Sequence, residues 1–203
     1  MDLAAACGHI CVVEWLHANR SEGYTRNAMD LAVRSGHLSM VEWLHADRSG
    51  GWAAKDIMDE AAAHGHLSLV EWLHTNSSEG CTTEAMDRAA DNGHLVMVEW
   101  LHANRSEGCT TEAMDKAAAN GHLRLVEWLH ANRSEGCTEE AMGEAAECGF
   151  LAVVEWLHAK RSEGCPLEAY ERSSGCMPIP MPVVDWLYDR VLTDEQKSQA
   201  CVW

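Results

Sequence analysis

Positive charge is scarce in this chain: 15 Lys and Arg stand against 32 Asp and Glu, a formal net charge of −17 at pH 7. Nucleic-acid affinity comes chiefly from Lys and Arg against phosphates, and no local basic patch offsets the deficit, so DNA and RNA are excluded as general partners. An anionic membrane surface is disfavoured for the same reason. Long apolar runs are also missing, none approaching the roughly 18 residues a membrane helix needs. The opening "MDLAAACGHI" lacks the basic and extended apolar regions of a signal peptide. Together these absences point to an intracellular, cytoplasmic protein.

Clustered cysteines are absent too. The nine present include Cys81, Cys109, Cys137 and Cys165 at intervals of 28, which suits neither a disulfide scaffold nor a zinc motif. A reducing compartment and small loop positions fit them best. There is no Gly-rich phosphate loop, nucleophile elbow or His-Glu-x-x-His, and no Ser or Cys beside a unique base. The expectation is a chain with no catalytic residues, no cofactor and no metal.

What is present is repetition. Residues 85–112, "AMDRAADNGHLVMVEWLHANRSEGCTTE", are followed by 28 residues that differ from them at five places. Trp15, Trp43, Trp72, Trp100, Trp128, Trp156 and Trp186 fall 28, 29, 28, 28, 28 and 30 residues apart. Near-copies in tandem imply one structural unit that gains stability by stacking on its neighbours.

Within the copy that starts at Ala85, the apolar set Ala85, Met86, Ala89 and Ala90 predicts a short helix. Thr82 or Thr83 would cap it, Glu84 and Asp87 suit its N-terminal end, and Gly93 would stop it. Leu95, Val98 and Leu101, with Met97 and Trp100 beside them, predict a second helix ending near residues 104–106. Each copy therefore reads as helix, tight turn, helix, loop.

About seven units fill residues 1–192, the first truncated and the last a C-terminal cap from about 169; residues 193–203 read as a polar tail. Met1 falls inside a helix pattern, which suggests a cut through a longer array. Pro178, Pro180 and Pro182 replace the Gly-His turn and read as an extended connector.

The stretch A-A-x-x-G-H-L-x-x-V at Ala61–Val70, Ala89–Val98 and Ala117–Val126, and more loosely at Ala4–Val13 and Ala145–Val154, resembles the helix pair of an ankyrin repeat, over roughly residues 1–168. The resemblance implies an all-α, ankyrin-like helical-repeat solenoid. Three departures stand out. Ala85-Met86-Asp87 replaces Pro-Leu-His, the period is 28 rather than 33, and Trp100 stands where Leu is customary. The missing residues come from the loops, so these should be shortened, with little or no β-hairpin. The hydrogen bonds of the Pro-Leu-His motif must be made in another way.

Other patterns have ordinary explanations. The Trp ladder reads as core, because aromatics bury the most area along a stacked seam. Glu99-x-x-His102 and its copies resemble a di-iron ligand element, but they recur along an array instead of converging, so a surface Glu and His pair is expected. His94 and its equivalents follow the turn glycine and should bond backbone groups of the adjacent loop.

The informative remainder is what varies between copies. One column reads Leu3, Leu31, Glu60, Arg88, Lys116, Glu144, and the next two include Asp91-Asn92, Ala119-Asn120 and Glu147-Cys148. By resemblance these positions face the concave groove, where ankyrin partners dock; the alternative is drift on a solvated face. Arg88, Asp91, Asn92, Lys116, Asn120, Glu144 and Glu147 are the candidate partner-binding residues. The expected function is a monomeric, non-catalytic protein-interaction module for a partner with a basic contact surface. A fragment of a larger protein that lacks its effector or catalytic domain is the alternative, and a metal-binding protein using the His and Glu-x-x-His positions is a more distant one.

Overall fold

The computed structural model describes residues 1–21, 23–47, 54–77, 80–161, 166–175 and 181–193. They form two compact units, Met1–Ala89 with Val96–Gly108, and Ala90–Leu95 with Cys109 onward. Among the described residues there is no strand, as the short loops predicted. Positions 178 and 180 of the expected connector, and residues 194–203 of the expected tail, lie outside the described residues. Pro182 sits in the first turn of a helix, Met181–Trp186, where its missing N–H costs no hydrogen bond.

The first unit holds the helix pairs α1 (Asp2–Ala6) with α2 (Ile10–Asn19), α3 (Arg26–Arg34) with α4 (Leu38–Asp47), and α5 (Ala54–Ala63) with α6 (Leu67–Asn76). Most of α7 (Glu84–Asp91) and α8 (Leu95–Asn104) belongs to it as well. The second unit holds α9 (Glu112–Ala119) with α10 (Leu123–Asn132), α11 (Glu140–Glu147) with α12 (Leu151–Lys160), and α13 (Pro166–Gly175) with α14 (Met181–Trp186) and a closing π-helical turn, Leu187–Val191. Within each unit, first helices pack side by side, α1 on α3 and α3 on α5, then α9 on α11 and α11 on α13. Each also packs on the second helix of its own pair.

The core follows from residue size. First helices bury a small-residue face, Ala113, Met114, Ala117 and Ala118 in α9 and Ala141, Met142, Ala145 and Ala146 in α11, which lets backbones approach. Second helices bury a triplet of larger groups, Leu125, Val126 and Leu129 in α10 and Val153, Val154 and Leu157 in α12. The tight turn between the two is a glycine with φ near +75° at Gly93 and Gly121, a left-handed conformation that other residues adopt only with strain.

The Trp ladder is not core. Trp43, Trp72, Trp100, Trp128, Trp156 and Trp186 are half-buried, and Trp15 is 59% exposed. Met97, Val98 and Leu101 take the seam instead, since they face the first helices while the Trp stands on the flank beside the neighbouring copy. There five indoles meet the imidazole of the copy before them, edge to face: His17 with Trp43, His45 with Trp72, His74 with Trp100, His130 with Trp156 and His158 with Trp186, at 5.1–5.6 Å between centroids. In these five copies the His of Glu-x-x-His meets the next copy's Trp.

Candidate functional site

Two polar joints hold the copies in register and define which side chains remain for other work. The first starts from Ala-Met-Asp. Asp59 accepts from the Thr82 backbone N–H at 2.8 Å and from its hydroxyl at 2.7 Å. Asp115 does the same with Thr138 at 2.8 and 3.0 Å, and Asp2 accepts from Thr25 N–H at 3.0 Å and from its hydroxyl. Each Thr hydroxyl in turn accepts from the N–H two residues on, so it caps its own helix, as Thr82 does for Glu84. The aspartate is thus a tie to the following copy, where the sequence suggested an N-terminal charge. Burial pushes the Asp59 and Asp115 carboxyls above their usual range, against the opposing pull of the Thr82 and Thr138 hydrogen bonds. The last aspartate of the series is replaced by Gly143, and its partner position is Pro166, which has no N–H to give. Arg172 occupies the vacated space, its Nη1 2.9 Å from where a Cβ would stand.

The second joint is in the loops. Arg105 donates to Glu107 and, from Nη1, to His74 Nδ1 at 3.2 Å; Arg161 donates to His130 Nδ1 at 3.2 Å. Glu107 also accepts from the Cys81 N–H at 3.3 Å. Burial raises the Glu107 carboxyl, but the Arg105 hydrogen bond and the backbone donors outweigh it and bring it down to about 2. Burial and the Glu107 charge push the neighbouring Cys81 thiol up to about 11, so it is an unreactive group. Cys109 and Cys137 are buried and not joined in a disulfide, in keeping with small loop positions. The turn histidines bond the preceding copy: His66 Nε2 donates to the Arg34 carbonyl at 2.8 Å and His122 Nε2 to the Asp91 carbonyl at 3.2 Å.

The seven candidate partner residues lie outside the core, and most are joined to neighbours. In the first unit Arg88 Nη1 donates to Glu60 at 2.8 Å, and Arg34 Nε lies 2.7 Å from the same carboxylate. Burial pushes Glu60 up, but the Arg88 hydrogen bond and the charges of Arg88 and Arg34 win, and its carboxyl is held below the usual range. In the second unit Asn120 donates to Asp91 at 2.9 Å, Lys116 to Glu144 at 3.3 Å, and Arg172 to Glu147 at 3.2 Å. Asn92 is exposed in the turn after α7. Sequence reasoning missed these pairings; their signal was the alternation of sign along the column, Glu60, Arg88, then Lys116, Glu144.

Among the described residues no group of three or more His, Cys, Asp or Glu is placed to hold a metal ion. No helix among them is long and apolar enough to cross a membrane.

Stacked helix pairs with glycine turns and repeated polar joints define a helical-repeat protein. The family profile described as ankyrin repeats (many copies) matches residues 1–45, 58–102, 86–130 and 114–158, and the chain belongs to the ankyrin repeat family. The crystal structure of the human ASB11 ankyrin repeat domain is similar in fold, with a TM-score of 0.64 and 16% identity over 92% of this chain and 95% of that one. No curated protein sequence matches the chain. Ankyrin repeats are in general protein-protein interaction modules.

Proposed function

We propose that this chain is a non-catalytic, monomeric adaptor that holds a protein partner with a basic contact surface, inside the cell, through its loops and the face carried by its first helices. The observation that supports this best is a separation of duties between positions. The Ala, Met, Val and Leu positions repeat from copy to copy in the core, whereas Arg88, Asp91, Asn92, Lys116, Asn120, Glu144 and Glu147 change identity outside it. Their pairings leave an outer edge: the Arg88, Lys116 and Glu147 side chains are 40%, 44% and 40% exposed. A partner would read that edge, and the −17 charge would steer a basic surface toward it.

The test is to exchange Arg88 in one variant, and the other six residues in a second, for those of other copies. Melting behaviour is checked first, then binding to the partner recovered by affinity capture and mass spectrometry. Affinity should fall in at least one variant, and association should slow as salt is raised, since ions screen beyond about 8 Å at physiological strength. Affinity that stays within error in both, with loss on changing the second-helix Glu positions instead, would place the contact elsewhere.

A further inference from the structure

In the second unit an open groove of ≈ 380 Å³ follows the tight turns, lined by Gly93, Leu95, Gly121, His122, Leu123 and Arg124 among others. Two departures from the repeat bear on it, one in its lining and one against its Gly121 from the following copy. The second position of the second helices reads Cys11, Ser39, Ser68, Val96, Arg124, Ala152, Pro182, exposed in all seven, and charged only at Arg124. No described residue pairs with that guanidinium by hydrogen bond or ion pair. The position after each turn glycine reads His9, His37, His66, His94, His122, Phe150. The Phe150 ring lies on Gly121, where an added Cβ would be 2.5 Å from its Cδ1, and 36% of the residue stays exposed. Gly121 thus has the one aromatic hydrocarbon of its column against it and the one cation of the other column beside it in the groove wall.

A cation with no partner among the described residues, next to the Leu95 and Leu123 side chains that line the same groove, offers a fork for one carboxylate and an apolar surface for its neighbour. In a protein of net charge −17 a longer acidic tract would be repelled, so the complement is short. We propose that this groove is a docking site for a short partner segment in which a single carboxylate is flanked by apolar or aromatic side chains. The inference rests on the protein-interaction reading and adds a second contact, separate from the first-helix column.

An end-blocked peptide of sequence Ser-Gly-Leu-Glu-Phe-Gly-Ser, titrated into the purified 15N-labelled chain, tests it directly. Amide shifts should concentrate at Gly93, Leu95, Gly121, His122 and Arg124. Arg124→Glu should weaken binding at least tenfold with the melting transition unchanged. A control peptide with Lys in place of Glu should not bind. Absence of binding at millimolar peptide, equal binding of the Lys peptide, or affinity unaffected by Arg124→Glu would overturn the proposal. The assay needs no natural partner. Its failure alongside loss of partner binding in the column exchanges removes only the groove, whereas peptide binding with unaffected column exchanges removes only the first-helix reading.

Discussion

The His74 imidazole stands edge-on to the Trp100 indole, with 5.4 Å between ring centroids and 88° between planes, while its Nδ1 accepts from Arg105. One ring therefore links two copies through an aromatic contact and a hydrogen bond to a charged donor. Arg105 is always protonated, so the imidazole must be neutral at Nδ1, with its proton on Nε2. Because Trp100 is only half-buried, Trp100→Ala should cost about 2 kcal/mol, below the roughly 3–5 kcal/mol of a fully buried aromatic. A double-mutant cycle with His74→Ala should give a coupling of about 1 kcal/mol, the usual worth of an aromatic pair. Urea unfolding of the four proteins measures both. A coupling near zero would reduce the ladder to coincidental proximity.

Asp115 makes a test of the first joint. Removing its carboxylate in Asp115→Ala leaves the Thr138 N–H and hydroxyl without their acceptor and should cost about 1–3 kcal/mol. Asp115→Asn keeps an acceptor and should cost less. The pH dependence has a definite sign: the folded carboxyl is raised above 3.8, so its contribution is present below that value and lost as pH rises through the folded value. Relative to the native chain, the Asn variant should gain stability as pH climbs from 3.5 toward 7. Unfolding curves at several pH values read this, and a gap of constant size would contradict the burial argument.

Glu107 should behave in the opposite way. Its carboxyl is held at about 2 in the folded chain against an ordinary 4.5, so its contribution is present above 4.5 and disappears as pH falls from there toward 2. Glu107→Gln should remove that acid-sensitive component while changing stability most at neutral pH. The comparison is again a pH series of unfolding midpoints, kept at low salt so that the partly exposed Arg105–Glu107 pair is not screened.

Two glycines separate backbone strain from packing. Gly23 has φ +68° and nothing within 4 Å of where a Cβ would stand, whereas Gly93 has φ +75° and the His122 ring 2.7 Å from that point. Gly23→Ala should cost only the left-handed strain of about 1 kcal/mol. Gly93→Ala should cost that and the displacement of His122 from its seat, about 2 kcal/mol or more in total. Thermal melting distinguishes them, and equal losses would mean that the ring gives way freely.

The sequence by itself determined the architecture, because stacking makes the same demands in every copy and so writes them repeatedly. The 28-residue period, the Ala-rich first helix, the wider second helix and the Gly93 turn are all local or periodic, and local chemistry suffices to read them. The turn histidines were legible as ties to the neighbouring copy for the same reason. Tertiary structure alone decided which face of the second helix is dry. Periodicity places Met97, Val98, Trp100 and Leu101 on a broad apolar arc, but only the position of the neighbouring helices puts Met97, Val98 and Leu101 inside and leaves Trp100 on the flank. It decided likewise that Asp115 reaches Thr138, that Arg88 reaches Glu60 and that His74 reaches Trp100, partners 23 to 28 residues apart. Such pairs form across the joint between copies, and the register of that joint is set by how two packed surfaces fit, which no single copy contains.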